Sequence, residues 1–251
     1  MMTRVKTAQE IAHMRESGRI TAAIVELLGR RLTPGMSTKD LALIAEAEIK
    51  NYGVRAAFLG YQGFPDVICI SLNDEVVHGI PRADRIIKDG DIVKLDFGVD
   101  YQGMITDHAR SFIAGKSLKK SHVKLLERTR QSLDAGIMAV HDRCRTGDIA
   151  AAVQAELDAA GYGIVRDLVG HGVGHSIHED PNIPNYGRAG TGPWLDAGMT
   201  IAIEPMATMG DWRVYEADDG WTVLTHDGSM AAHFEHTVLI TPDGAEVLTQ
   251  I

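Results

Sequence analysis

The strongest constraint on this chain is that part of it occurs twice. Thr38, Asp40, Ala42, Ala47, Glu48 and Gly53 return as Thr146, Asp148, Ala150, Ala155, Glu156 and Gly161, a constant offset of 146 − 38 = 108 residues. Two alanine-rich helices can match in their alanines by composition alone. The matched Thr, Asp and terminal Gly weigh against chance, since Ser37 with Asp40 resembles a helix start and Gly53 stands where a helix would end. Each copy follows a helical segment, residues 8 to 30 and about 119 to 142, and precedes extended stretches rich in Val and Ile. Ahead of the first copy, Thr7 and Glu10 form a capping-box pattern, with apolar residues recurring behind it at Ile11, Met14, Ile20, Ala23, Ile24 and Leu27. The expected architecture is α+β, a single domain over 1–251 built from two similar halves, approximately 7–115 and 116–251. Each half should contribute strands to a shared sheet, with a site where the halves meet.

At 251 residues the chain can bury a large core, and 45% apolar with 24% charged residues is ordinary globular usage. The formal charge of −9 argues against a nucleic-acid surface, which draws on clustered Lys and Arg. Lys116, Lys119, Lys120 and Lys124 form the one basic cluster worth naming, and it reads as a solvated helix face. Cys69 and Cys144 are too few and too far apart for a disulfide framework or a CxxC zinc ribbon. No apolar run reaches membrane-spanning length and the first residues carry no cleavage signature, so no membrane partner is expected and the expected location is the cytoplasm.

Asp96 lies in the strand-like run IVKLDFGVD and Asp107 in MITDHARSF, with Asp100, Tyr101, Gln102 and Gly103 as turn residues between them. With Tyr101 and Gln102 at the tip of a hairpin, the two aspartates stand directly opposite each other on one face. Opposed Cβ atoms are roughly 4.5–5.5 Å apart, so the carboxylates must repel, share a proton or share cations. In GHGVGHSIHEDP, His171, His175 and His178 are set among glycines that allow close backbone approach. The i,i+4 spacing of His171 and His175 is not a zincin helix, because the glycines disfavour helix and no Glu follows His171. Glu204 closes MTIAIEP, where Pro205 biases its predecessor toward extended backbone, and Glu235 sits in AHFEHTVLIT. Taken singly, each of these residues reads as well as an ordinary turn, loop or strand side chain. Together, four carboxylates and one imidazole on separate strand-like segments form an oxygen-rich set suited to two divalent ions such as Mn, Fe, Co or Zn, a hydrolytic metal site.

These motifs carry a resemblance over essentially the whole chain. CISLNDEVVHGIP from Cys69, DFGVDYQGMITD with Asp96 and Asp107, HGVGHSIHEDP from His171, IEPM around Glu204 and FEHTVLIT around Glu235 resemble the type I methionine aminopeptidases of the short bacterial kind, in order and in spacing. The resemblance implies the pita-bread fold, two pseudo-symmetric halves sharing a curved antiparallel sheet with helices on its outer face. It also implies removal of the initiator methionine from nascent polypeptides whose second residue is small. By family pattern Asp96 chelates one metal, Asp107 and Glu235 bridge both, and His171 and Glu204 complete the second, with a hydroxide between the ions to attack the scissile carbonyl. Glu204 is then the proton shuttle, while His78 and His178 reach the peptide and the developing oxyanion. The methionine pocket maps onto Tyr61, Phe64, Cys69 and Trp221 with His78 at its edge, where rings and a soft thiol suit a thioether. Core packing accounts for each ring almost as well, and Cys69 is not expected to act as a nucleophile.

The chain departs from the family pattern in places. AAFLGYQGFP lacks the cysteine that some members carry near Phe58, and Ile177 stands where several have a large aromatic. No zinc-binding or proline-rich extension precedes Thr7, so ribosome association is expected at most as a transient contact; family precedent favours a monomer. Two rival readings share the motifs. An Xaa-Pro peptidase of the same fold would use all five ligands, but usually carries a large N-terminal domain and a glycine after the EP pair, where this chain has Met206. A non-catalytic binding protein would have no reason to retain every ligand and both histidines, since clustered unpaired carboxylates destabilise a fold.

Overall fold

The computed structural model describes residues 4–251. The first half runs α1 (Ala8–Arg31), α2 (Thr38–Tyr52), β1 (Arg55–Ala56), β2 (Cys69–Leu72), β3 (Glu75–Val77), β4 (Ile92–Tyr101) and β5 (Met104–Ile113). The second begins with α3 (Lys120–Met138), α4 (Thr146–Ala160), β6 (Gly163–Ile164), β7 (Gly170–Gly172) and β8 (Glu179–Ile183). It continues through β9 (Thr200–Ile203), β10 (Met206–Thr208), β11 (Val214–Glu216), β12 (Val223–Thr225), β13 (Ala231–His233), β14 (His236–Thr241) and β15 (Gly244–Val247).

Helix ends follow local capping chemistry. Thr7 and Glu10 close the box at α1, with Thr7 N–H donating to the Glu10 carboxylate at 2.7 Å, and Ser37 with Asp40 does the same at α2. At the equivalent start of α4 stands Arg145, whose guanidinium has no acceptor to offer. Only the return bond remains there, Arg145 N–H to Asp148 at 2.8 Å. Both α2 and α4 have 15 residues and end on left-handed glycines, Gly53 (φ 66°) and Gly161 (φ 75°). Helix α3 stops at Met138, short of the expected 142, and the chain then turns with Arg143 in a left-handed conformation (φ 63°). The repeat continues into the strands: the pairs Arg55↔Asp100 and Ala56↔Val99 recur, at the same offset, as Gly163↔Thr208 and Ile164↔Ala207.

Strand alternation decides which side chains meet the helices. In β4, Val93, Leu95, Phe97 and Val99 pack with Ile20, Ile24 and Leu28 of α1 and Leu41 of α2. Each such buried side chain contributes about 1.5–3 kcal/mol of transfer free energy. The intervening Lys94 and Asp96 therefore face away from the helices. In the second half Ile201 and Ile203 of β9 and Val238 and Ile240 of β14 pack with Leu133 of α3 and Val153 of α4, which turns Thr237 to the opposite side.

The β4–β5 hairpin turns one residue later than the sequence suggests. Gln102 (φ 54°) and Gly103 (φ 82°) form the tip, two successive left-handed residues whose second position favours glycine, and Asp100 Oδ1 accepts the Gly103 N–H at 2.8 Å. Asp96 consequently pairs with Ala109 and Asp107 with Gly98, so the two aspartates are diagonal neighbours and not opposed. Moving the tip by one residue shifts each partner by two, which preserves the face. Both carboxylates still point away from the helices.

All pairings are antiparallel, and backbone ladders divide the strands into four groups: β1–β4–β2 with β5 on β4; β13–β10–β6; β11–β12–β3; and β15–β14–β9–β7–β8. Of these, β11–β12–β3 alone combines strands from both halves. At the centre the halves join through a ladder extended by hydroxyl groups, in which Asp107, Ala109 and Ser111 of β5 lie opposite Thr237, Glu235 and His233. Glu235 N–H donates directly to the Ala109 carbonyl at 2.8 Å. The Thr237 hydroxyl accepts from Asp107 N–H (2.9 Å) and donates to its carbonyl (2.8 Å), and the Ser111 hydroxyl serves His233 in the same way (2.9 and 2.7 Å). Asp107 and Glu235 thus lie on the seam itself.

Candidate metal centre

A cavity of about 250 Å³ opens on the face away from the helices. It is lined by Asp96, Asp107, His171, Glu204 and Glu235, by His78 and His178, and by Tyr61, Phe64, Cys69 and Trp221, so every residue to which the family resemblance gives a role meets there. Phe58 and Gln62 line it as well. His175 does not; its Nε2 lies 2.7 Å from Glu10 of α1, outside the cavity.

The polar residues of the cavity arrive by different local routes. Asp96 and Asp107 come from the hairpin. Glu204 stands between β9 and β10, at exact register with Asp96 in the repeat (204 − 96 = 108), and Pro205 behind it has no N–H to continue the ladder. His171 lies in β7, where Gly170 allows close approach: a Cβ there would sit 2.3 Å from the Ala202 carbonyl oxygen of β9. That contact brings His171 Nε2 to 3.4 Å from Glu204 Oε1 and 4.0 Å from Asp107 Oδ2. Asp107, His171 and Glu235 each offer one ligand atom, and these atoms lie within 4.8 Å of one another.

The electrostatics of this group are unbalanced without cations. Burial raises the pKa of Asp96 well above its ordinary value, and the Asp107 and Glu204 charges raise it further. Burial pushes Asp107 up to about 7. Glu204 and Glu235 are raised by burial first and by neighbouring carboxylates second. Asp96 Oδ1 and Glu235 Oε1 are buried without a hydrogen-bond partner among the described residues. His171 Nδ1 is 2.9 Å from the Gly172 carbonyl, an acceptor, so the ring proton sits on Nδ1 and Nε2 turns a bare lone pair toward Glu204. Burial holds this ring neutral, with a pKa lowered to about 3. A lone pair facing carboxylate oxygens, beside orphaned carboxylate oxygens, is the donor set that divalent cations satisfy.

The remaining walls divide into polar and apolar. His78 takes a left-handed backbone (φ 60°), an uncommon conformation for a residue with a side chain, and is held neutral by burial and by His178, with its pKa lowered to about 4. His178 sits at the mouth, its Nδ1 2.9 Å from the Tyr61 hydroxyl and its ring against His171 at 4.3 Å between centroids. Opposite lies an apolar cluster of Phe58, Phe64, Cys69 and Ile177, with Tyr61 and Trp221 packed against it. Phe64 meets Phe58 and Trp221 edge to face, at 6.5 and 5.1 Å. The Cys69 thiol is pushed well above its ordinary pKa by burial and by Asp96, which leaves it protonated and unreactive. The two sequence departures, around Phe58 and at Ile177, thus fall in this one cluster.

Sequence reasoning passed over His233 and Lys94. His233 is buried beside Glu204 and Glu235, with its pKa lowered to about 3 by burial. Lys94 is buried with its ammonium donating to the carbonyls of Asn73 (2.8 Å) and Ala231 (3.3 Å), which ties the halves together. The available signal was alternation, since His233 precedes Glu235 by two residues and Lys94 precedes Asp96 by two.

A two-halved antiparallel fold with buried carboxylates and imidazole at its seam defines a metallohydrolase. The chain matches the model of metallopeptidase family M24 over residues 12–242 and belongs to that family. It is 45% identical over 247 residues to a methionine aminopeptidase of Clostridium perfringens, covering 98% of each chain. A solved structure of a methionine aminopeptidase from Thermotoga maritima is 43% identical, with a TM-score of 0.97 over the whole of both chains. The prolidase of Pyrococcus horikoshii shares the fold, with a TM-score of 0.77 at 23% identity and 63% of its length covered.

Proposed function

We propose that this chain is a metal-dependent aminopeptidase that removes the N-terminal methionine from polypeptides, with two divalent ions held by Asp96, Asp107, His171, Glu204 and Glu235. The observation that carries the metal reading is the unprotonated Nε2 of His171 facing Glu204 and Asp107 in a buried, proton-hungry carboxylate cluster. The methionine reading draws on relatives that match over nearly their whole length. The family model extends over most of the chain, which supports a single peptidase domain. Asp96 would serve one ion, Asp107 and Glu235 on the seam would serve both, and His171 and Glu204 would complete the second.

When bound, the ions supply Lewis acidity toward the scissile carbonyl and make water acidic enough to react near neutral pH. The chain's own groups do the rest. Glu204, raised in pKa, is suited to take a proton from the attacking water and return it to the leaving amine. His78 is neutral at physiological pH and so offers one N–H to the developing oxyanion without adding a charge. With the Tyr61 hydroxyl donating to Nδ1, His178 keeps Nε2–H for the peptide. The ring-and-thiol cluster of Phe58, Tyr61, Phe64, Cys69 and Trp221 receives the methionine thioether. A small second residue, cytoplasmic action as a monomer and at most transient ribosome contact belong to the same proposal. Among the described residues no helix is long and apolar enough to cross a membrane.

The test is a side-by-side assay of Met-Gly-Met-Met and Xaa-Pro peptides, after chelation and again after metal return. Methionine release that disappears with the chelator and returns with metal is expected. No release with any divalent ion, or faster cleavage of Xaa-Pro peptides, would sink the proposal.

A further inference from the structure

His233 has no part in the reading above, yet it is the least satisfied side chain near the centre. It is 1% exposed, and neither Nδ1 nor Nε2 has a hydrogen-bond partner among the described residues. Buried polar atoms are almost always partnered, and one left bare destabilises the fold. Its Nε2 lies 3.8 Å from Glu204 Oε2 and 4.0 Å from Glu235 Oε2, beyond hydrogen-bond length but beside two acceptors. Glu204 is therefore bracketed by two imidazoles, with Oε1 toward His171 and Oε2 toward His233.

The two rings are not equivalent. His171 commits its proton to the Gly172 carbonyl and presents a lone pair. His233 makes no such commitment, and a neutral imidazole always carries one N–H. Beside two carboxylate oxygens, the favourable tautomer places that proton on Nε2. We propose that His233 is a positioning residue for the metal centre, its Nε2–H holding the outer oxygen of Glu204 and leaving Oε1 free on the side of His171. A small rotation of the Glu204 carboxylate closes the gap. An acceptor held in this way orients the ligand in advance, the role that outer-shell donors play at metal sites. The inference rests on the metal reading of the same cavity.

The test compares the unsubstituted protein with His233→Leu, His233→Gln and His233→Asn. Each is stripped of metal, titrated with Mn2+ by calorimetry, and melted in the absence of metal. The Leu variant should bind Mn2+ about tenfold to a hundredfold more weakly. Its metal-free melting temperature should stay close to that of the unsubstituted protein, because the bond lost at Nε2 is offset by removal of the buried Nδ1 that has no partner among the described residues; a merely structural histidine would lower it without changing the affinity. The Gln amide reaches where Nε2–H points and should keep the affinity, whereas the Asn amide reaches only the Nδ1 position and should not. Unchanged affinity in the Leu or Asn variant, or a loss in Gln as large as in Leu, overturns the proposal. If the Leu variant does not fold, the Gln–Asn pair decides. Failure of the unsubstituted protein to bind Mn2+ would remove the metal reading and this inference together, whereas equal loading of all four proteins removes this inference alone.

Discussion

The two halves deliver carboxylates to one cavity by different means. In the first, Asp96 and Asp107 ride on an uninterrupted ladder of two ten-residue strands, so the hairpin register fixes their separation. In the second, Glu204 and Glu235 fall in the gap between two pairings, β9 with β14 (His236↔Ile203) and β10 with β13 (Met206↔His233). Pro205 interrupts the ladder there, and the glutamates are fixed through other contacts, Asn185 Nδ2 donating to the Glu204 carbonyl at 3.1 Å and Glu235 N–H to Ala109. The repeat has kept the position of a cavity carboxylate, Asp96 with Glu204, without keeping the backbone beneath it. A rigid main-chain pair faces a pair held by contacts made one at a time.

The sharpest way to break this arrangement is Asp107→Asn, because Asp107 is bonded to the second half through Thr237 while its carboxyl faces His171. Metal uptake, measured by equilibrium dialysis, and methionine release should be lost together; full activity would refute its place between the ions. Next in size is His178→Ala, which should lower kcat by about a hundredfold to a thousandfold while leaving metal content unchanged. Steady-state kinetics with metal analysis on the same sample separates the two.

Acidity distinguishes the halves more finely. Asp107 has a folded pKa of about 7, above its ordinary 3.8, so at pH 6 the metal-free protein still holds a proton that an incoming ion must displace. Affinity for Mn2+ should weaken by about tenfold per pH unit, per proton displaced, as pH falls below 7. His171 is already neutral down to about pH 3 and releases no proton in that window. In the metal-free protein the same shift has the opposite consequence for folding. Between pH 4 and 7 the unfolded chain binds fewer protons at Asp107 than the folded one, so stability from this group is present below pH 4 and is lost as pH rises to 7. Urea unfolding of metal-free protein across this range should show that loss, and the Asp107→Asn variant should show a smaller one, the remainder coming from Asp96, Glu204 and Glu235, which burial also raises. The smallest effect belongs to the hairpin tip. Gly103→Ala, at φ 82°, should cost about 1 kcal/mol in urea unfolding with methionine release unchanged.

Helix ends are legible in this sequence because capping is local: Thr7 with Glu10, Ser37 with Asp40 and the glycines at 53 and 161 need no distant partner. The hairpin is legible as to face but not as to partner, because Gln102 takes a left-handed φ that nothing in its side chain announces. The five acidic and imidazole positions are legible as a group because the motifs hold their order and spacing. The seam is not, since Ser111 and Thr237 look like ordinary strand residues until they are seen substituting for ladder bonds. His233 is hidden for a related reason: its meaning lies in Glu204, on a separate segment, and not in its neighbours along the chain.

Side chains from both halves are proposed to hold the metal ions jointly. Anomalous diffraction from crystals of the Mn2+-loaded protein tests this most directly. Two peaks in the cavity are predicted, both contacted by Asp107 and by Glu235. A single peak, or peaks whose ligands all come from one half, would contradict the account.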